Sequence, residues 1–144
     1  MWFNSIVSFF LRSPFHAAFS GNTMLVTWVG NKSGKTYSTP VNYLVKDDTL
    51  VTTSLRRRTW WRSLRNGKPI SLFFRGKQIS AASQVLDTEE SVLPALQDIL
   101  KLAPAYARYF NVALDENNEP SLEDLQREAA KRVIIYFSFL PQAE

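Results

Sequence analysis

Two stretches rich in β-branched and aromatic residues, "TMLVTWVG" at 23–30 and "TYSTPVNYLVK" at 36–46, flank the polar segment "NKSGK". Strand-forming side chains on both sides, with a Ser-Gly pair able to supply positive φ between them, predict two antiparallel strands joined by a tight reversal. Pro40 has no N–H to donate into a ladder, so it marks an edge strand or a bulge. Asp47 and Asp48 make a second turn, and "TLVTTSL" at 49–55 is a third strand. The three strands form a meander.

The pattern then changes. Trp60, Trp61 and Leu64 in "RRRTWWRSLRNGK" have near-helical spacing, and Asn66-Gly67 is a helix stop, which predicts a short helix crossing the sheet. "PISLFFRG" and "KQISAASQVL" predict a hairpin turning at Gly76. A helix opens at Thr88 with Val92, Leu93, Leu96, Ile99 and Leu100 on one face. "PAYARYFNVALDENNEP" reads as a loop or broken helix, and Ser121 and Asp124 cap a short, exposed helix. The run "RVIIYFSFLP" closes the pattern as a strongly apolar, central strand. The fold class expected is mainly β with some α: a six-stranded antiparallel split β-barrel with peripheral helices. With 144 residues and no linker, residues 1–144 are expected to form one domain.

The composition narrows the chemistry. There are no cysteines, which removes disulfides, thiolate metal sites and cysteine nucleophiles, and no metal site is expected. The single histidine, His16, gives a serine-histidine-aspartate triad little to draw on. Residues 1–20 are apolar and aromatic but broken by Asn4, Arg12 and Pro14, short of a membrane span. They are expected to form a helical segment packed on the barrel, with peripheral membrane contact as the other reading. The expected location is cytoplasmic.

The net charge of +4 is unevenly spread. Eleven lysines and arginines lie between residues 30 and 80, opposed only by Asp47 and Asp48, so an anion would bind there. The 30–40 turn is not a Walker loop, because a strand rather than a helix follows Lys35. Lys32 and Lys35, with Ser33, Thr36 and backbone N–H groups, suit a single phosphate; a solvated lysine turn is the plainer reading. Three consecutive arginines, Arg56, Arg57 and Arg58, cannot all face one partner, since neighbouring side chains diverge. Of Trp60 and Trp61, one belongs to the core and the other can wall a flat aromatic ligand. Tyr106 and Tyr109 sit on one side of a turn, either packed or able to donate to an oxygen on which charge builds.

The run "GNKSGKTYSTP", then "TTS", then "WWRSL", resembles the deazaflavin-dependent nitroreductase family. That family belongs to a wider group of flavin-binding split β-barrels that includes pyridoxamine phosphate oxidase. The resemblance spans about residues 20 to 110. It implies a cofactor, F420 or FMN, that delivers hydride to a small-molecule acceptor such as a quinone or a nitroaromatic compound. It implies that Lys32, Ser33 and Gly34 form the phosphate turn, that Pro40 and Val41 lie along the ring system with Ser54 beside them, and that Trp60 walls the ligand. Tyr106 aligns with a tyrosine that orients the acceptor or supplies a proton. Asn31 and Tyr37 stand where the family has arginines, and Lys35 with the run Arg56, Arg57 and Arg58 is expected to compensate.

The expected function is therefore a cofactor-dependent oxidoreductase, working as a homodimer because one barrel leaves the cofactor's outer face open. A binding-only barrel for flavin, deazaflavin or haem is the alternative. A nucleic-acid module using the basic half is a third reading, with no nucleic-acid partner in the favoured one.

Overall fold

The structure, a computed structural model, describes residues 23–30 and 32–140. The expected N-terminal helical segment and Asn31 lie outside these residues. Seven strands form one antiparallel sheet: β1 (Thr23–Val29), β2 (Thr36–Asn42), β3 (Leu44–Lys46), β4 (Thr49–Leu55), β5 (Ile70–Phe74), β6 (Lys77–Leu86) and β7 (Arg132–Phe139). Their order is β2-β1-β5-β6-β7-β4-β3.

Seven strands replace the expected six because the return strand divides at Tyr43. Its first half pairs with β1 in the register Trp28↔Tyr37 and Leu25↔Pro40, and its second half pairs with β4 as Leu44↔Val51. The meander is thus present, with its middle strand shared between the two ends of the sheet. This sharing curls the sheet into a barrel with a split between β2 and β4, where Thr52 Oγ1 donates to the carbonyl of Asn42 at 2.5 Å. Pro40 sits in an edge strand, as its missing donor requires.

Alternation along β7 explains the two cores. Val133, Ile135 and Phe137 pack inside the barrel with Met24, Val26, Leu72 and Trp61. Ile134 faces the other way, onto Val51 and the helical layer. That layer comprises α1 (Glu89–Leu102) and α2 (Leu122–Lys131). Helix α1 begins with a capping box in which Thr88 accepts from the Ser91 N–H and Ser91 accepts from the Thr88 N–H. Helix α2 is less exposed than expected, because Leu125, Glu128 and Ala129 are buried against α1 and β7. Its cap holds: Ser121 Oγ accepts from the Asp124 N–H at 3.2 Å.

Between β4 and β5 the predicted short helix is a 3-10 helix, Trp60–Asn66, ended by Gly67 at φ 75°. It closes one end of the barrel with Trp61 and Leu64 buried. No helix among the described residues is long and apolar enough to cross a membrane.

Candidate functional site

Two concave spaces meet at Trp60. The first is a cavity of about 160 Å³ at the split between β2 and β4. Pro40, Val41, Asn42 and Tyr43 line one side, Thr52 and Thr53 the other. Tyr106, Tyr109 and Phe110, from the segment after α1, close it with Trp60, and Arg58 is the single charged residue among the described residues that line it. The second is an open groove of about 730 Å³ beneath the 30–37 turn. Lys32, Ser33, Arg62 and Arg65 supply its polar wall, and Trp28, Tyr37 and Trp60 its aromatic wall.

The turn is shaped by its backbone. Gly30 N–H donates to the carbonyl of Lys35 at 2.7 Å, Gly34 N–H to that of Gly30 at 3.1 Å, and Gly34 adopts φ 68°. Gly30 has a second reason to lack a side chain: a Cβ there would meet Tyr37 Cε2 at 2.7 Å. Tyr37 fills that space because it stands opposite Trp28 in the register, stacks on it at 6.0 Å, and hydrogen-bonds through its hydroxyl with Ser33 Oγ at 3.1 Å. The hydroxyl of Ser33 also accepts from the Lys35 N–H at 3.2 Å. Trp28 in turn lies 5.8 Å from Trp60, so three aromatic rings run from the turn to the split.

Trp60 is held by a specific bond. Its Nε1 donates to Ser54 Oγ at 2.9 Å, and Ser54 is buried on β4. Ser54 lines neither space, so its contribution is to aim the indole. Trp61, the neighbouring tryptophan, is the core residue of the pair, 3% exposed, with Arg62 and Arg65 flanking its ring at 5.5 and 5.4 Å.

The arginine run divides as side-chain divergence requires. Arg56 donates to the carbonyls of Ala130, Asp87 and Arg132, which ties the end of β4 to α2 and β7 and takes it out of the site. Arg57 is exposed and lines neither space, and Lys35 lines neither. Of the four residues expected to compensate for Asn31 and Tyr37, Arg58 alone lines one of the two spaces, the cavity. Arg62 and Arg65 reach the groove from the 3-10 helix, where residues three apart eclipse. That spacing was readable in "WWRSLR", since residues three apart share a face in a 3-10 helix and an α-helix alike.

The tyrosine segment rests on a buried ionic network. Arg132, 7% exposed, lies 5.0 Å from the Phe110 ring centre and 5.9 Å from that of Tyr109. Its Nε donates to Glu128 Oε1 at 3.1 Å, and Glu128 Oε2 accepts from Arg127 Nε at 3.1 Å. Arg127 continues to Asp124 Oδ1 at 2.9 Å and to the carbonyl of Asn111. Asp124 Oδ2 accepts from the Ala113 N–H at 2.9 Å. That backbone donor first, and Arg127 second, hold the Asp124 carboxyl below its ordinary value against the opposing effect of partial burial. Bonding to Glu128, and next to Asp124, raises the Arg127 guanidinium above its ordinary value.

No family model and no curated protein matches the sequence. Solved structures do. A candidate 5-nitroimidazole antibiotic resistance protein from Bacteroides thetaiotaomicron superposes with a TM-score of 0.54 at 12% identity, over 96% of this chain and 80% of that one. A Clostridium acetobutylicum protein related to general stress protein 26 of B. subtilis, of the pyridoxinephosphate oxidase family, gives 0.53 at 13% identity over 90% and 83%. A structure described as a domain-swapped dimer gives 0.51 at 16% identity over 94% and 96%. These likenesses, with the curled antiparallel sheet, show that the chain has the split β-barrel fold of the pyridoxamine 5'-phosphate oxidase-like proteins.

Proposed function

We propose that the groove and the cavity together bind a flat, phosphate-bearing redox cofactor, F420 or FMN, for hydride transfer to a small acceptor. The observation that carries this reading is the sharing of Trp60 by a basic groove and an aromatic cavity. A phosphate suits Lys32, Arg62, Arg65 and the Ser33 hydroxyl, which are cations and a donor on one wall. A flat ring suits the cavity, whose walls include Tyr43, Trp60, Tyr106 and Phe110. A cavity near 160 Å³ is about the size that takes one benzene-like ring, so it accepts the end of a tricyclic system and not the whole of it.

A reduced cofactor of this class supplies hydride, and the protein then needs no nucleophile of its own. The chain's residues bind, orient and exclude water. Lys32 and its neighbours fix the phosphate end. Trp60, aimed by Ser54, sets the plane of the ring. Tyr106, which lines the cavity, presents its phenol towards the oxygen of an acceptor, where it stabilises developing charge or passes a proton. Quinones and nitroaromatic compounds carry such oxygens.

A second copy of the chain would cover the outer side of the groove, and the domain-swapped dimer among the similar structures supports pairing. Reduced FMN and reduced F420 mixed with menadione test the enzymatic reading. Acceptor reduction faster than with free cofactor is expected; binding without acceleration would leave a carrier or sensor.

A further inference from the structure

Of three consecutive arginines, one alone faces the cavity. Arg56 is committed to three backbone carbonyls, and Arg57 lines neither space. Arg58 lines the cavity beside Trp60 and the tyrosines, and no ion pair joins its guanidinium to any described residue. Among the described residues no aspartate or glutamate lines the cavity. These residues thus give the site one positive charge, aromatic walls and no counter-charge. That is the electrostatics of a site for a flat ring bearing negative charge, not for a neutral one.

We propose that Arg58 is the charge partner of the cofactor's ring in its reduced, anionic form, and not a phosphate ligand. The inference rests on the cofactor reading above. A flavin-type ring that takes up two electrons and one proton, or equally one hydride, gains one unit of negative charge. An oxidised flavin ring such as that of FMN carries none, so Arg58 interacts more strongly with its reduced form. A differential interaction of this kind shifts the redox equilibrium, whereas equal binding of the two forms would shift nothing. Arg58 itself is exposed, so solvent limits the effect, but a ring in the cavity displaces water between the two and strengthens it. The phosphate has its own cations in Lys32, Arg62 and Arg65, which lie in the groove.

The test uses the full chain loaded with FMN and measures the midpoint potential by dithionite titration against a reference dye. Arg58→Gln is expected to lower the preference for the reduced ring about tenfold, which for a two-electron couple is a potential about 30 mV more negative. Arg58→Lys should restore most of the shift. Lys77→Gln, the same charge change at an exposed site lining neither space, should leave the potential in place. Affinity for the oxidised cofactor should change less than twofold in Arg58→Gln. An unchanged potential in Arg58→Gln, or an equal shift in Lys77→Gln, overturns the assignment while leaving the cofactor reading intact. Loss of oxidised-cofactor affinity without a change in potential would make Arg58 a binding residue and also overturn it. If FMN does not bind the unsubstituted chain, the role of Arg58 fails, and if F420 does not bind either, the cofactor reading fails with it.

Discussion

Trp60 Nε1 donates to Ser54 Oγ at 2.9 Å, so a buried serine on β4 sets the orientation of the side chain that both the groove and the cavity share. Ser54→Ala removes the acceptor without changing the strand. The expected stability loss is about 1 kcal/mol, the usual net value of one such hydrogen bond. Cofactor affinity should fall several-fold because the indole is no longer aimed. Denaturant unfolding and a binding titration check the two effects; full affinity in Ser54→Ala would show that the bond orients nothing.

Glu128 is 2% exposed and is the carboxylate that neutralises buried Arg132. Glu128→Ala should destabilise the fold by about 3–5 kcal/mol, because it leaves a buried cation unpaired. Glu128→Leu combined with Arg132→Met should recover a large part of that loss, since both charges go together. Chemical denaturation of the three variants reads this directly. Equal instability in the single and double variants would mean that packing, not charge, dominates.

Asp124 bonds the Ala113 N–H, and this holds its carboxyl below the ordinary value of 3.8. A carboxylate depressed in the folded state stabilises above its unfolded value, and the contribution is lost as pH falls through the folded value. Below about pH 4 the link between α2 and the segment carrying Tyr106 should therefore weaken. Amide exchange at Ala113, followed from neutral pH downward, should lose protection in this window in the natural chain. Asp124→Asn should flatten that dependence; the same pH response in Asp124→Asn would assign it to other groups.

Tyr106 lines the cavity. Tyr106→Phe keeps the wall and removes the hydroxyl, so cofactor affinity should be unchanged. Acceptor reduction should slow by about tenfold to a hundredfold, the lower range for loss of one positioned donor or proton relay. Stopped-flow reduction of menadione by the reduced complex measures it. Equal rates in the two proteins would remove the hydroxyl from the chemistry.

Much of the barrel was legible because its signals are local. The Ser-Gly reversal, the Thr88 and Ser121 caps, the Asn66-Gly67 stop and the Gly76 hairpin each act through residues a few positions apart. The division of the return strand at Tyr43 was not legible, since it depends on β2 and β3 meeting opposite ends of a curled sheet. The same limit applied to the site. Arg56 was expected to make up for the arginines that the resemblance implies at Asn31 and Tyr37, whereas the fold sends it to the carbonyls of Asp87, Ala130 and Arg132, far along the chain. The pairing of Trp28 with Tyr37 followed from the hairpin register, but its consequence, an aromatic path ending at Trp60, needed the 3-10 helix in place.

The most direct test compares FMN, riboflavin and F420 as ligands of the purified chain, read by quenching of tryptophan fluorescence, with Lys32→Ala beside it. The account predicts saturable binding of FMN or F420 with a Kd on the order of micromolar, typical of a partly open site with one phosphate clamp. Riboflavin, which lacks the phosphate, should bind at least about tenfold more weakly than FMN if FMN is the ligand, the loss expected for a charge-assisted contact. Lys32→Ala should weaken the phosphate-bearing ligand and leave riboflavin unchanged. Absence of saturable binding by both FMN and F420, or equal affinity of both for Lys32→Ala and the unsubstituted chain, would contradict the central claim.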